Sequence, residues 1–188
     1  MAKPKLLPEL DTLREMFDLD PETGILLWRE RPRAHFATQR AHRYWNGQYA
    51  GKPAGTLDSF GHTKVKVTLG GKTTPYLAHR IVWKMAKGTE PPPEIDHRNT
   101  APSNNWIDNL RETDRSGNCW NRRVNQNSKT GLKGIRQVAC GRYGARIQAG
   151  HKSRWLGTFD TAEEAVAAWT RAAQELHGEF WNPGNVTV

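Results

Sequence analysis

The chain has 188 residues, enough for one ordinary domain or for two to three small ones. Hydrophobic residues make up 36% of it and the mean hydropathy is −0.79, so any core is modest and divided among small units. No window is apolar enough to span a bilayer, and the N-terminal segment lacks the apolar run of a signal peptide. We therefore expect a cytoplasmic protein with no membrane partner.

The charge is strongly basic. Twenty-eight lysines and arginines stand against 19 acidic residues, which gives a net charge of +9 and a pI near 9.8. Such an excess favours a polyanionic partner. The alternative is a soluble protein that is basic but binds no polyanion. The two cysteines, Cys119 and Cys140, form no CxxC pair, so no structural zinc site is expected and a reducing compartment is favoured.

The N-terminal region begins with a short amphipathic pattern. Helical spacing of apolar residues predicts a helix over residues 8–17, and a turn at 20–24 leads into a strand at 25–28. Residues 29–50 follow neither period and hold five arginines and one glutamate up to Arg43. This segment is predicted to be a loop or an extended arm, either lying along phosphates or simply solvated.

A β pattern follows. Residues 64–69 alternate strictly, Gly70-Gly71 is a hairpin signal, and residues 72–77 form the returning strand, whose Pro75 requires an edge or a bulge. Residues 78–87 then read as a helix, ended by the glycine and prolines that follow.

The last segment of the chain, beyond a predicted linker, shows a separate organisation. Residues 94–125 read as strand, loop, strand and helix, and the polar residues 126–130 as a linker. Beyond them the pattern predicts three strands and one amphipathic helix with a capping box at Asp160 and Glu163. These elements are expected at residues 134–138, 143–148, 154–159 and 161–177.

Candidate catalytic groups lie between residues 96 and 118. Phosphodiester hydrolysis needs a base to activate water and a cation to hold charge on the leaving oxygen. His97 supplies a base, while the carboxylate of Asp96 and an amide oxygen supply hard ligands that suit Mg²⁺. Neighbours on a strand face opposite ways, but a twisted hairpin end still allows Asp96 and His97 to line one site.

The whole pattern resembles the HNH endonucleases of phages and introns, the homing type. The resemblance runs through Ala78-His79-Arg80-Ile81-Val82-Trp83, Ile95-Asp96-His97, Trp106-Ile107-Asp108-Asn109-Leu110-Arg111 and Ser116-Gly117-Asn118 to Asn121-Arg122. It implies a ββα-metal fold, a divalent cofactor (Mg²⁺, with Mn²⁺ as an alternative) and cleavage to 5′-phosphate ends.

The resemblance also implies roles for single residues. His97 is the general base and Asn109 the second catalytic position, which orients His97 by tying the loop to the strand. Asp96 and Asn118 are the metal ligands, Asn118 replacing the histidine of other branches. The turn at 99–102 lacks the usual Asn/Asp-Gly pair, and His79 is expected to pack rather than to assist at the metal.

From Gly131 the chain resembles the DNA-binding domain of plant APETALA and ethylene-response factors. The resemblance covers about 50 residues, including Gly131–Arg136, Gly141–Tyr143, Ala145–Ile147, Trp155–Ala165, Ala172-Ala173 and His177–Glu179. It implies a three-stranded sheet in the major groove of DNA with a helix behind it. The charges agree, because residues 129–154 hold seven basic residues and no acid. The expected DNA-binding residues are Arg136, Arg142, Arg146, Lys152, Arg154 and Trp155.

The resulting prediction is an α+β protein with three parts: an N-terminal helix-strand region with a basic arm (1–74), an HNH nuclease core (75–127) and a DNA-binding domain built from a three-stranded antiparallel sheet and one helix (128–188). It acts as a monomer or homodimer on double-stranded DNA. The alternative is a regulator that binds DNA through the C-terminal domain on a degenerate nuclease scaffold. An RNA-binding function is disfavoured because the sequence shows no exposed aromatic platforms at single-strand spacing.

Overall fold

The computed structural model describes residues 5–125, 127–150 and 152–184, and it mixes helices with strands, as the α+β prediction requires. The chain divides into two compact units, Met1–Glu112 and Thr113–Val188, each with its own hydrophobic core. This differs from the three predicted parts. The division expected after residue 74 runs through a single core, in which Val65 and Val67 pack with Ile81 and Val82. In the part of the chain that the structure describes, no helix is long and apolar enough to cross a membrane.

The first unit begins with three short elements: α1 (Leu10–Met16), β1 (Phe17–Leu19) and β2 (Leu26–Trp28). Helix α1 and strand β2 were predicted, whereas β1 was not. Strands β1 and β2 pair antiparallel. The predicted turn between them is built on Asp20, whose carboxylate accepts hydrogen bonds from the backbone of Glu22 (2.9 Å) and Thr23 (3.3 Å). Leu13, Met16 and Phe17 are almost fully buried, so this end of the chain is anchored in the core.

The prediction of a loop over residues 29–50 is wrong. The segment contains a 3-10 helix (Arg33–His35) and an α-helix, α2 (Gln39–Tyr49), capped by the Thr38 hydroxyl, which accepts from the amide of Ala41 (3.1 Å). This segment packs through aromatic rings that surround the buried side chain of Arg31, and not through a stripe of aliphatic residues. The guanidinium of Arg31 lies 5.1 Å from the ring of Phe36 and 5.0 Å from that of Trp45.

The predicted hairpin and the helix after it are confirmed. Strands β3 (Thr56–Leu57), β4 (Thr63–Leu69) and β5 (Lys72–Leu77) form a three-stranded sheet in that order. Gly70 (φ 54°) and Gly71 (φ 77°) make the turn with left-handed backbone at both positions, which suits the twist of a hairpin. Pro75 lies on the edge strand β5, and helix α3 (Ala78–Lys87) ends at Gly88 with φ 71°.

The region expected to carry the chemistry has the predicted order of strand, loop, strand and helix. Strand β6 (Glu94–His97) pairs with β7 (Leu110–Thr113), which follows a 3-10 helix (Ile107–Asn109), and helix α4 (Arg115–Trp120) comes next. Ile95 and Leu110 join the first core, so the two strands are fixed from one side. Asp96 and His97 are therefore held at the end of a short, anchored strand.

The second unit contains α4, β8 (Ile135–Gln137), β9 (Tyr143–Ala149), β10 (Lys152–Phe159) and α5 (Ala162–His177). The three strands form an antiparallel sheet in the order β10-β9-β8, so the predicted three strands and helix are confirmed. The capping box lies one residue later than predicted, at Thr161 and Glu164, because the Thr161 hydroxyl accepts from the Glu164 amide (3.2 Å). Trp169 and Ala173 of α5 are buried against this sheet.

Helix α4 packs in the second unit, although the sequence predicts it as part of the nuclease core. The ring of Trp120 stacks on that of His177, with centroids 4.5 Å apart and planes 9° apart. The ammonium group of Lys133 donates hydrogen bonds to the carbonyls of Trp120 and Asn182 (3.0 Å to the latter). The boundary expected at residue 127 therefore lies earlier. Gln126, the first residue of the predicted linker, is outside the described residues.

Candidate active site and nucleic-acid interface

His97 ends β6 and is buried, with 6% of its surface exposed. Its Nε2 lies 3.1 Å from Oδ1 of Asn105. Since an amide oxygen can only accept, this contact assigns the ring proton to Nε2 and leaves a lone pair on Nδ1. An imidazole with one nitrogen held by an oxygen and the other carrying a lone pair is equipped to take a proton or to bind a metal ion.

Asn105 was not singled out by sequence reasoning, and it is itself buried. The turn before β2 lies directly against its backbone. A Cβ at Gly24 would lie 2.2 Å from the carbonyl carbon of Asn105, and Gly24 has φ +70°. Only glycine allows both that close approach and that backbone conformation. The N-terminal turn thus supports the partner of His97.

The side chains of Asp96 and His97 have different hydrogen-bond partners. Its Oδ2 accepts from Arg111 of β7, at 2.8 Å from Nε and 2.7 Å from Nη2, and both side chains are buried. Arg111 lies within the motif that resembles the HNH endonucleases, but the sequence alone predicts no role for it. The pairing fixes the direction of the Asp96 carboxylate and balances its charge inside the protein.

Asn109 joins the loop after β6 to the start of β7. Its Oδ1 accepts from the amide of Asn99 (3.0 Å), while its Nδ2 donates to Oδ1 of Asn99 (3.0 Å) and to the carbonyl of Asn104 (2.8 Å). Its backbone carbonyl accepts from the amide of Arg98 (2.8 Å). These bonds suit a residue that positions the loop between His97 and Asn105. Both the oxygen and the nitrogen of the Asn109 side-chain amide are bonded to other residues of the protein.

The turn that lacks a glycine nevertheless has a left-handed residue. Thr100 adopts φ 57°, and its amide donates to the carbonyl of His97 (2.8 Å). Oδ1 of Asn99 accepts from the amide of Ala101 (2.9 Å) and completes the turn. A threonine therefore takes the backbone position for which glycine is usually chosen, at some steric cost.

Two further histidines lie beside His97. The ring centroid of His79, in the first turn of α3, is 5.1 Å from that of His97, and the ring of His62, just before β4, is 5.8 Å from His97 and 5.5 Å from His79. One nitrogen from each ring lies within 4.8 Å of the other two. The sequence predicts only packing for His79 and no partner for His62, so the structure brings together three residues that sequence reasoning keeps apart.

Burial shapes the titration of the cluster. It lowers the pKa of His79 to about 3, with smaller contributions from His97 and His62. Burial also lowers the pKa of His97, against an opposing effect of the bond to Asn105, and that of His62. All three rings are therefore neutral at neutral pH, since a charged imidazole is penalised away from water.

Asn118 lies on α4, in the second unit. The helix is capped by the Asp114 carboxylate, which accepts from the amide of Gly117 (2.8 Å). Gly117 is needed here because a Cβ would lie 2.5 Å from the hydroxyl of Thr113. The role of Asn118 as a metal ligand stays a prediction.

One face of the second unit's sheet is open and basic. Arg136 pairs with Gly144 across the strands, and Arg146 with Trp155, while Ala145, between Gly144 and Arg146, is buried in the core with α5. Arg136 lies 5.3 Å from the Trp155 ring, whose surface is 46% exposed. Trp155 lies over Gly144, where a Cβ would meet the ring at 2.3 Å. Two arginines and an indole thus form one exposed surface, as strand alternation requires.

The other three predicted DNA contacts are placed differently. Arg142 is paired with Asp160 (2.7 Å). Lys152 pairs with Ala149 and Arg154 with Ile147, so both share the side of the sheet on which α5 packs, although they are exposed at its edge. The structure therefore does not join these residues to the open face.

A second basic surface lies on α2. Arg40, Arg43, Tyr44 and Gly47 are exposed at helical spacing, and no acidic residue occurs between positions 31 and 57. Exposed aromatic rings are present at Tyr44, Phe60, Trp106 and Trp155. They are spread along the chain, Tyr44 on α2, Trp155 on β10 and the other two outside the helices and strands.

Comparison with known proteins assigns two segments. Residues 76–119 match the model of an HNH endonuclease family. This span contains His79, Asp96, His97, Asn109 and Asn118, and it starts after His62. The match is short relative to the chain and indicates a nuclease segment.

The second similarity is to plant transcription factors. Ethylene-responsive transcription factor LEP of Arabidopsis thaliana is 47% identical over 51 residues, which are 26% of this chain and 24% of that protein. Ethylene-responsive transcription factor ERN1 of Medicago truncatula is 43% identical over 68 residues (35% and 25%), and dehydration-responsive element-binding protein 2A of Arabidopsis thaliana is 38% identical over 55 (28% and 16%).

The chain spans a quarter or less of the length of these relatives. No solved structure matches it significantly. The chain therefore combines a segment similar to HNH endonucleases with one similar to DNA-binding domains of the APETALA and ethylene-response type.

Proposed function

We propose that this protein is a metal-dependent endonuclease that hydrolyses phosphodiester bonds of double-stranded DNA. The observation that carries the proposal is His97, a buried imidazole held at Nε2 by Asn105 inside the segment that matches the HNH endonucleases. Its Nδ1 lone pair is assigned the task of taking a proton from the attacking water. Burial keeps the pKa of His97 low, so the basic form predominates at neutral pH.

Asp96 and Asn118 are the proposed ligands of the divalent cation. Carboxylate and amide oxygens are hard donors that fit Mg²⁺, with Mn²⁺ as an alternative. A cation bound there would neutralise charge on the scissile phosphate and on the leaving oxygen. Arg111 orients Asp96, and Asn109 positions the loop that carries Asn105.

The open sheet face of the second unit is proposed to hold the duplex. Arg136, Arg146 and Trp155 present cations and a planar ring to the groove, in line with the DNA-binding similarity. The exposed face of α2, with Arg40 and Arg43, is the second candidate for phosphate contacts. By resemblance, the enzyme is a site-specific homing endonuclease of phage type that leaves 5′-phosphate and 3′-hydroxyl ends.

A regulator that binds DNA without cutting it is the second candidate, since the curated relatives are named as transcription factors. Incubating plasmid DNA with the full chain and Mg²⁺ or Mn²⁺ separates the two. We expect divalent-dependent nicking or cleavage that His97→Ala loses while still shifting DNA on a gel. The control is His35→Ala, a histidine of the same unit that pairs with Glu15. A wild-type protein that binds DNA but cuts no substrate with either metal would leave the regulator as the function.

A further inference from the structure

We propose that His62, His79 and His97 form a binding site for a transition-metal ion of the zinc type, distinct in its ligands from the magnesium site proposed above. One ring nitrogen of each histidine lies within 4.8 Å of the other two. The rings come from three places in the fold: the residue just before β4, the first turn of α3 and the end of β6. Residues 35 positions apart in the chain are thus gathered at one point by the fold.

The ligand chemistry selects the metal. Imidazole nitrogens suit zinc, copper, nickel and cobalt, whereas magnesium requires oxygen ligands. Asp96, the acidic residue next to this cluster in sequence, has Oδ2 bonded to Arg111. Three protein nitrogens with a fourth position for water or an anion are the arrangement of accessible zinc sites.

The spacing is close to what a metal ion needs. Zn–N bonds of about 2.0–2.1 Å place tetrahedral nitrogens about 3.4 Å apart, so pairs now within 4.8 Å close by at most roughly 1.4 Å. His62 is half-buried. His79 and His97 are both buried and supply the rigid part of the site.

Two features of the surroundings support a ligand at this point. Nδ1 of His62 is buried and has no hydrogen-bond partner among the residues described, which leaves a polar atom unsatisfied in the protein alone. Asn105 holds Nε2 of His97 at 3.1 Å, and metal-binding histidines are typically oriented by such a bond to the ring nitrogen opposite the metal.

The site has a consequence that rests on the proposed function. His97 is also the proposed base, and a metal ion on its lone pair removes the group that activates water. Zinc is therefore expected to inhibit magnesium-dependent cleavage by occupying the three histidines.

Binding is tested on the full chain with ZnCl₂ by calorimetry and with CoCl₂ by visible absorption, each in excess Mg²⁺. We expect one ion per chain, and loss of that binding in His62→Gln and His79→Gln. His35→Gln is the matched control and keeps it. Asn105→Ala should weaken it by about 10- to 100-fold, as removal of a supporting bond does. Circular dichroism checks that each variant is folded. If His79→Gln does not fold, the test depends on His62→Gln, because His62 is only half-buried.

Two results would overturn the site: no zinc or cobalt binding by the wild-type chain, or wild-type affinity in folded His62→Gln, which would leave the cluster as packing. Inhibition is measured by adding ZnCl₂ to the cleavage reaction. Zinc should inhibit the wild type at concentrations that saturate the site, and His62→Gln should resist it; equal inhibition of both would refute the competition. Zinc binding that depends on His62 in a chain that never cuts DNA would support the site and reject only the nuclease.

Discussion

The candidate active site and the open sheet face place their polar groups in opposite environments. Asp96 and His97 are 5% and 6% exposed and are held by Arg111 and Asn105, whereas Trp155 is 46% exposed beside the exposed Arg136. Proton transfer and metal binding need groups that are fixed and partly shielded from water. Phosphate contacts need cations that a duplex can reach. Substitutions should therefore cost stability at the first site and DNA affinity at the second.

The largest expected effect is on the buried ion pair. Arg111→Met removes the cation from the Asp96 carboxylate, so the free energy of unfolding should fall by about 3–5 kcal/mol. Chemical denaturation measures it, with Arg43→Met, an exposed arginine of the same unit, as the control that stays within about 0.5 kcal/mol of wild type. Equal stability of the two variants would show that burial of the Asp96 carboxylate does not depend on its ion pair with Arg111.

A smaller effect, on affinity instead of stability, is expected at the open sheet face. Arg136→Ala and Arg146→Ala should each leave the melting temperature unchanged and reduce the slope of log affinity against log salt by about one, since each removes a cation that neutralises a phosphate. Lys152→Ala and Arg154→Ala, on the opposite side of the sheet, should change the slope less. Gel shifts at several salt concentrations test this, and a larger change for Lys152→Ala and Arg154→Ala would place the DNA on the other side.

The smallest expected effect sharpens the comparison, because it concerns a half-buried cation in the second unit. Burial lowers the pKa of Lys133 to about 8, below the ordinary lysine value of 10.5. The unfolded chain therefore holds more protons between these two pH values, and the contribution of Lys133 to stability should rise as pH increases from about 8 to 10.5.

Denaturation of wild type and Lys133→Met across this pH range isolates that contribution. The difference between the two should change with pH, whereas Lys129→Met, which removes an exposed lysine, should follow the wild type. Parallel curves for wild type and Lys133→Met would mean that the ammonium group is not shielded from water in the folded state.

Local patterns predicted those elements whose residues show their own periodicity. The β4–β5 hairpin alternates strictly and turns on two glycines, and α3 has an aliphatic stripe ending at Gly88. Helix α2 was not predicted because it packs through Trp45 against the buried Arg31, whose guanidinium lies beside the rings of Phe36 and Trp45. A cation in a core gives no hydrophobic period to detect.

The candidate site divides in the same way. Asp96, His97 and Asn109 could be proposed from the sequence because they are close together in it and form a motif. Asn105 and Arg111 were missed as partners, since their importance depends on which side chains they meet across the loop and the strand pair. The expectation that His79 merely packs came from the apolar face of its helix, which says nothing of His62 and His97 on other elements.

The sequence by itself determined the basic charge, the strand-loop-strand-helix order around His97, and the sheet and helix at the C-terminal end. These depend on composition and on contacts within a few residues, where turn and capping chemistry act. Only the tertiary structure decided that α4 packs in the second unit, that Arg111 pairs with Asp96, and that three histidines meet at one point. Such contacts are made between elements far apart in the chain, and their energy depends on burial, which no local pattern specifies.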